Sequence, residues 1–292
     1  MKSIVYLFLI ILISGCSDSI SREGNSSPDD MADLIHQVKS NQAVFIEGKV
    51  FEGKIDLHQL GMLGKISSRT SASIISVPIY FKNCTFSGGI RSYADNGDRQ
   101  IITIFEGLGF ENCTFEGEVD LTGAHFRSPT HWQNNIFRKG IKINGATFEQ
   151  NFSFQSNSVH GNWTANQADF RGKADFFESS FNNVSFFQGV QFNGTANFAK
   201  CSFLQNTDFT MIRARENLFF SYAHFSERSW FNGADWQGIA EFHKTKFDGE
   251  ASFDRILSRR KPDFRNTNFS VTPQFQDFSV TVTKNYITKL NN

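Results

Sequence analysis

Large apolar residues recur along most of this chain at a fixed cadence. Starting at Ile104 and stepping alternately six and five residues, 32 positions are visited by residue 275, and 23 of them are Phe. Trp132, Trp236, Ile104, Leu121, Ile143 and Val159 fill six more, so only Ala165, Ala214 and Ser258 lack a large apolar side chain. At the chain's overall Phe frequency, about four would fall on these positions. Two residues before many of them sits a small one, as at Cys113, Ala146, Ala168, Ser179, Ala196, Cys201 and Ala240. The intervening residue is often polar: Asp169, Asp175, Asn197, Asp208, Asp235, Glu241. Residues two apart on an extended segment point the same way. Each unit therefore predicts a very short strand with one small and one large residue inward. Gly and Asn between units permit the corners.

If the coil has four faces, two six-residue and two five-residue steps make 22 residues, and each coil stacks Phe on Phe about 4.8 Å above the last. Residues 104–275 then form about eight coils, a rod roughly 40 Å long with a filled interior. Each buried Phe contributes about 1.5–3 kcal/mol. The same units appear earlier: FEGKIDL from Phe51 matches FEGEVDL from Phe115, and FKNCTF from Phe81 matches FENCTF from Phe110. The solenoid is expected over 44–278, with loop insertions near 58–76 and 91–103 and a tail over 279–292. Ahead of it, Met31, Leu34, Ile35 and Val38 have helical spacing. They predict a helix over 31–43 whose apolar side caps the open end.

The segments FRGKADF from Phe170, FNGTANF from Phe192 and FDGEASF from Phe247 resemble the pentapeptide-repeat family in its phenylalanine-centred, eleven-residue variety. The resemblance implies an all-β fold, a right-handed quadrilateral β-helix; a three-sided coil is the alternative. The family's usual step is five throughout, so here a sixth residue must bulge at alternate corners.

The N-terminus carries a different signal. Met1-Lys2-Ser3 precedes the apolar run IVYLFLIILI, residues 4–13, and Ile13-Ser14-Gly15-Cys16 follows. The run has the length of a signal-peptide core rather than a membrane span. The segment resembles the lipobox of bacterial lipoproteins; a plain secretory signal or an uncleaved anchor is the alternative. The resemblance implies a signal peptide over 1–15 and lipidation of Cys16, whose acyl chains would hold the protein to a membrane. Ser17, by that family's sorting rule, implies the outer membrane of the cell envelope. Residues 16–30 read as a polar tether.

Composition narrows function mainly by exclusion. Lys+Arg and Asp+Glu are both 29, which argues against a nucleic-acid partner. The aromatic content argues against long disorder. Cys84, Cys113 and Cys201 all fall at the small inward position, which gives them a packing role as buried free thiols; a Cys84–Cys113 disulfide or a metal site is the alternative. His36, His58, His125, His131, His160, His224 and His243 show no paired-ligand spacing, and no nucleophile or phosphate-loop motif appears. No catalytic residue, metal or cofactor is expected. The candidate binding surface consists of Arg213, Arg215, Arg259 and Arg260, with Arg215 and Arg259 two coils apart, and the outward aromatics Phe186 and Trp230. The expectation is a non-enzymatic, lipid-anchored scaffold or protein-binding surface, with a homodimer through an exposed terminal coil as a further partner. The alternative is an envelope carbohydrate-binding or processing protein using the inserted loops and exposed aromatics.

Overall fold

The computed structural model describes residues 28–65, 71–92 and 101–281. It is an all-β solenoid with four walls, each a stack of strands mostly two to four residues long. Sheet I runs from Val44–Glu47 to Ala240–Glu241, sheet II from Val50–Phe51 to Asn268–Phe269, and sheet III from Ile55–Asp56 to Ala251–Ser252. Sheet IV runs from Ser71–Ile75 to Ser279–Val280 and carries one extra edge strand, Met62–Lys65. The chain visits the walls in that order, so sheets I and III are opposite. Every pairing is parallel except Met62–Lys65 with Ser71–Ile75. From Ile101 onward the register advances by one coil of 22 residues, as in Phe170↔Phe192, Phe192↔Ala214 and Ala214↔Trp236; the coils before it are longer, with Val44↔Ile79 and Ile79↔Leu108.

The cadence places the core as the sequence implies. All 29 positions from Ile104 to Ser258 are buried. Along a wall the rings stack face to face: Phe187–Phe209–Phe231 at 4.5 and 5.3 Å, Phe181–Phe203–Phe225 at 5.0 and 4.7 Å. Between walls they meet edge to face, as Phe209 and Phe220 do at 5.1 Å and 82°. Both arrangements suit the ring quadrupole. Backbone ladders lock the coils, for example Phe187 N–H to Asp208 O at 2.7 Å and Phe209 N–H to Trp230 O at 2.7 Å.

The corners alternate in type. Between sheets I and II, and between III and IV, five-residue steps close in tight turns. Cys201 N–H donates to Phe198 O at 3.2 Å while Lys200 holds φ +58°. A positive φ at the third turn residue is the type II arrangement. The expectation of Gly or Asn at corners needs correcting here. Ser156, Gln167, Glu178, Lys200, Met211, Tyr222, Lys244 and Arg255 adopt the same left-handed backbone. The flanking ladders over-determine it, because both neighbouring coils fix the strand on each side of the turn. The extra residue of the six-residue steps lies in the bends between II and III and between IV and I. At Gly194 a Cβ would sit 2.6 Å from Gly172 O in the preceding coil, so that bend admits no side chain.

One inward column departs from simply being small. On sheet II it reads Cys113, Asn135, Asn157, Ser179, Cys201, Ala223, Thr245. Its side chains donate to carbonyls of an earlier wall: Asn135 Nδ2 to Phe110 O at 3.0 Å, Asn157 Nδ2 to Trp132 O at 2.8 Å, Ser179 Oγ to Phe154 O at 2.6 Å. Cys201 Sγ does the same to Phe176 O at 2.9 Å. The buried cysteines thus occupy a hydrogen-bonding column, and Cys84, Cys113 and Cys201 are free thiols. Asp175, expected to face outward, is only 6% exposed; it accepts from Gln155 and Asn197 and pairs with Lys173 at 2.6 Å.

Several boundaries differ from those expected. The N-terminal helix α1 spans Pro28–Lys39 rather than 31–43. Leu34 and Val38 join the core, and Met31 and Ile35 pack beside them over the first coil. The region 58–76 is a short helix α2, Leu57–Leu60, followed by the hairpin of Met62–Lys65 and Ser71–Ile75. Its second strand belongs to sheet IV, where it pairs in parallel with Ile101–Ile104, and Ala72, Ser73 and Ile75 are buried there. Within 91–103, Ile101–Ile104 is already ladder strand, and residues 93–100 lie outside the described residues. Ser279–Val280, expected in the tail, adds one more rung to sheet IV. The end opposite α1 is less covered: Phe264 and Phe269 are partly exposed, and Phe275 and Val271 are each 42% exposed.

Candidate functional site

The interior is filled, so the outward side chains carry whatever recognition the solenoid offers. Most cations there are neutralised locally. Arg91 pairs with Asp56 at 2.9 Å, Arg138 with Glu116 at 3.7 Å, Arg228 with Glu250 at 3.1 Å and Arg265 with Asp263 at 2.7 Å. The Arg265 guanidinium holds the Asp263 carboxyl at about 2.

Sheet IV behaves differently along its length. The residue just after each inward position forms one outer column: Arg127, Glu149, Arg171, Asn193, Arg215, Gln237, Arg259. Their amides donate to the coil before, as Arg171 N–H does to Phe148 O and Arg215 N–H to Phe192 O. Arginine occupies every second coil, about 10 Å apart. In the N-terminal half Glu149 sits between two of them, 3.5 Å from Arg127 and 3.7 Å from Arg171, with His125 at 2.7 Å. Burial raises the Glu149 carboxyl, but His125, Arg127 and Arg171 outweigh it and hold it below the usual carboxylate range. Further along, Asn193 and Gln237 replace the carboxylate.

Among the described residues, Arg215, Arg255, Arg259 and Arg260 are the arginines without an ion pair, and all four are exposed. Arg215 and Arg259 belong to the outer column, Arg255 to the III–IV corner and Arg260 to the bend from IV to I. Arg213 pairs with Asp235 at 3.4 Å, and Gln237 Nε2 donates to the same carboxylate at 3.0 Å. Glu216 is engaged by Thr195 Oγ1 at 3.0 Å. Behind this surface the inward column is the interrupted one, Ala214, Trp236, Ser258. Ser258 fits because its hydroxyl donates to Arg260 O at 2.6 Å. An apolar-floored cavity of about 340 Å³ opens at the adjoining corner, lined by Thr210, Met211, Asn232, Gly233 and Arg255.

The structure therefore brings Arg213, Arg215, Arg259 and Arg260 onto one wall and its edge. Phe186 and Trp230 are elsewhere. They lie on sheet III, two coils apart in register through Asp208. Phe186 is 36% exposed and Trp230 half-buried. Phe177 and Phe219 are half-buried beside sheet I, the opposite wall, and Lys200 Nζ stands 5.0 Å above the Phe177 ring. The aromatics do not merge into one surface. Cys16 lies outside the described residues. Arg127 and Arg171 were not singled out in the sequence, although the 44-residue spacing of Arg215 and Arg259 extends back to both.

Among the described residues, no cluster of three or more His, Cys, Asp or Glu could hold a metal ion, and no helix is long and apolar enough to cross a membrane. Comparison with family models, curated proteins and solved structures finds no match to this chain.

Proposed function

We propose that this protein is a non-enzymatic, lipid-anchored scaffold of the bacterial cell envelope, a pentapeptide-repeat solenoid that presents its outer walls to a partner. The observation that carries this reading is the division of labour among side chains. Core aromatics and inward hydrogen bonders are consumed in packing the coils, while one wall keeps a line of unpaired arginines. Maintaining four unpaired guanidinium groups, when the remaining described arginines are ion-paired, supports a surface used in recognition. The lipobox-like Ile13-Ser14-Gly15-Cys16 supports anchoring at Cys16, and Ser17 supports the outer membrane.

Two measurements test the proposal. Fractionation of cells producing Cys16→Ala should move the protein from membranes to the soluble fraction; continued membrane retention counts against the anchor. Affinity capture from solubilised envelopes should recover a partner with the wild-type chain and lose it when Arg213, Arg215, Arg259 and Arg260 are changed to Gln. Catalytic turnover that co-purifies with the chain and dies with one point mutation would overturn the scaffold reading.

A further inference from the structure

We propose that the outer column of sheet IV around Arg215, Gln237 and Arg259 binds an acidic polysaccharide laid along the solenoid axis. This rests on the reading of the outer walls as the working surface and names the chemistry of the ligand. Guanidinium is a planar donor fork that matches carboxylate and phosphate oxygens two at a time. Here the forks are ordered in a line at a fixed pitch, two coils apart, on a wall of short, regular strands. A linear polymer with regularly repeated anionic groups can meet such a line at successive rungs. The Gln237 amide between them offers an oxygen acceptor to sugar hydroxyls, its nitrogen being held by Asp235.

Among the described residues, no carboxylate lies within ion-pair distance of Arg215 or Arg259. Asp235 is taken by Arg213 and Gln237, and Glu216 by Thr195. Arg260 at the bend and Arg255 at the opposite corner widen the positive strip. The exterior beside the column is mostly polar: Gln191, Arg213, Asp235 and Ser279 share the wall, and the exposed apolar side chains are Leu257 on it, Val280 at its open end and Met211 at the III–IV corner. Leu257, Val280 and Met211 are scattered over wall, open end and corner and form no continuous apolar face for a bilayer, so a membrane surface is the less favoured partner. The chain's overall neutrality disfavours nucleic acid.

The first half of the same column supplies an internal control. It has the same backbone and the same arginine spacing, but Glu149 closes it off. The structure therefore assigns binding to Arg215 and Arg259, not to Arg127 and Arg171, because Glu149 pairs with both of the latter and Asp169 holds Arg171 as well, at 2.9 Å.

The test uses the purified full chain with polygalacturonate as probe and neutral dextran as control, by affinity electrophoresis and calorimetry at low salt. The wild type should bind polygalacturonate and not dextran. Arg215→Gln with Arg259→Gln should weaken binding about tenfold or more, the scale of losing charge-assisted contacts. Arg127→Gln with Arg171→Gln should change it less than about twofold, and Glu149→Gln should strengthen it by about twofold, the scale of freeing the Arg127 guanidinium alone, because Arg171 stays paired with Asp169. Far-UV circular dichroism keeps unfolded variants out of the comparison. No retention of the wild type overturns the proposal, as does equal weakening by both double variants, which would mean diffuse attraction to charge. Tighter, Arg215- and Arg259-dependent binding to phosphatidylglycerol vesicles than to polygalacturonate would replace it with a membrane contact. Polysaccharide binding that persists while envelope capture recovers no partner would sink the scaffold reading alone.

Discussion

The aromatic core makes a quantitative demand that Phe209→Ala tests. Phe209 is fully buried, stacked 4.5 Å from Phe187 and 5.3 Å from Phe231, and edge-on to Phe198 and Phe220 at 5.2 and 5.1 Å. Removing the ring forfeits about 2–3 kcal/mol of burial and leaves a void on the order of 100 Å³, worth roughly 2 kcal/mol more. The void cannot close easily, because Phe187 and Phe209 are both pinned by backbone bonds to the next coil at 2.7 Å. The expected loss is about 4–5 kcal/mol, a large share of a typical domain's stability. In guanidinium unfolding followed by circular dichroism, with a slope of about 4–6 kcal/mol per M, the midpoint should fall by about 1 M. Phe275→Ala at the open end, where the ring is 42% exposed, should cost only about 1–2 kcal/mol. Equal losses from the two substitutions, or a loss below about 1.5 kcal/mol at Phe209, would refute the stacked-core account.

Other predictions address the corners, the buried polar groups and the acid limit. Met211→Gly removes a side chain from a backbone at φ +55° and should raise stability by about 0.5 kcal/mol, the left-handed penalty less the entropy of glycine; a lower melting temperature would contradict it. Asn157→Leu strands Trp132 O and the Asn135 N–H groups that donate to Asn157 Oδ1, so about 2–3 kcal/mol should be lost in the same denaturation assay. The Glu149 and Asp175 carboxyls are both lowered in the fold. In each, burial opposes ionisation and is outweighed, at Glu149 by His125 and the two arginines and at Asp175 by Lys173 and Gln155. Their contribution is present above the unfolded value of about 4 and disappears as pH falls through the lower folded values. Melting temperature should therefore hold between about pH 7 and 5 and drop below about 4, with a shallower drop in Asp175→Asn.

What was legible in the chain is whatever depends on repetition. The six-five cadence at Ile104 through Ser258 dictates which side chains enter the core, because a period that never slips leaves one register for every strand. The capping role of Leu34 and Val38 was readable for the same reason, from helical spacing beside an open end. Other features depend on residues 20 to 25 positions apart becoming neighbours, and no local pattern shows them. Closure into four walls set Glu149 between Arg127 and Arg171 and left Arg215 and Arg259 without a carboxylate. It aimed Asn135 and Asn157 at carbonyls of an earlier wall, where polar residues would otherwise look misplaced. It also held Lys200 and Met211 in a left-handed turn that their own preferences oppose. Periodicity decides the inside, since burial acts on one side chain at a time; the pairing of charges and the strain of the corners are decided between coils, and exist only once the coils are stacked.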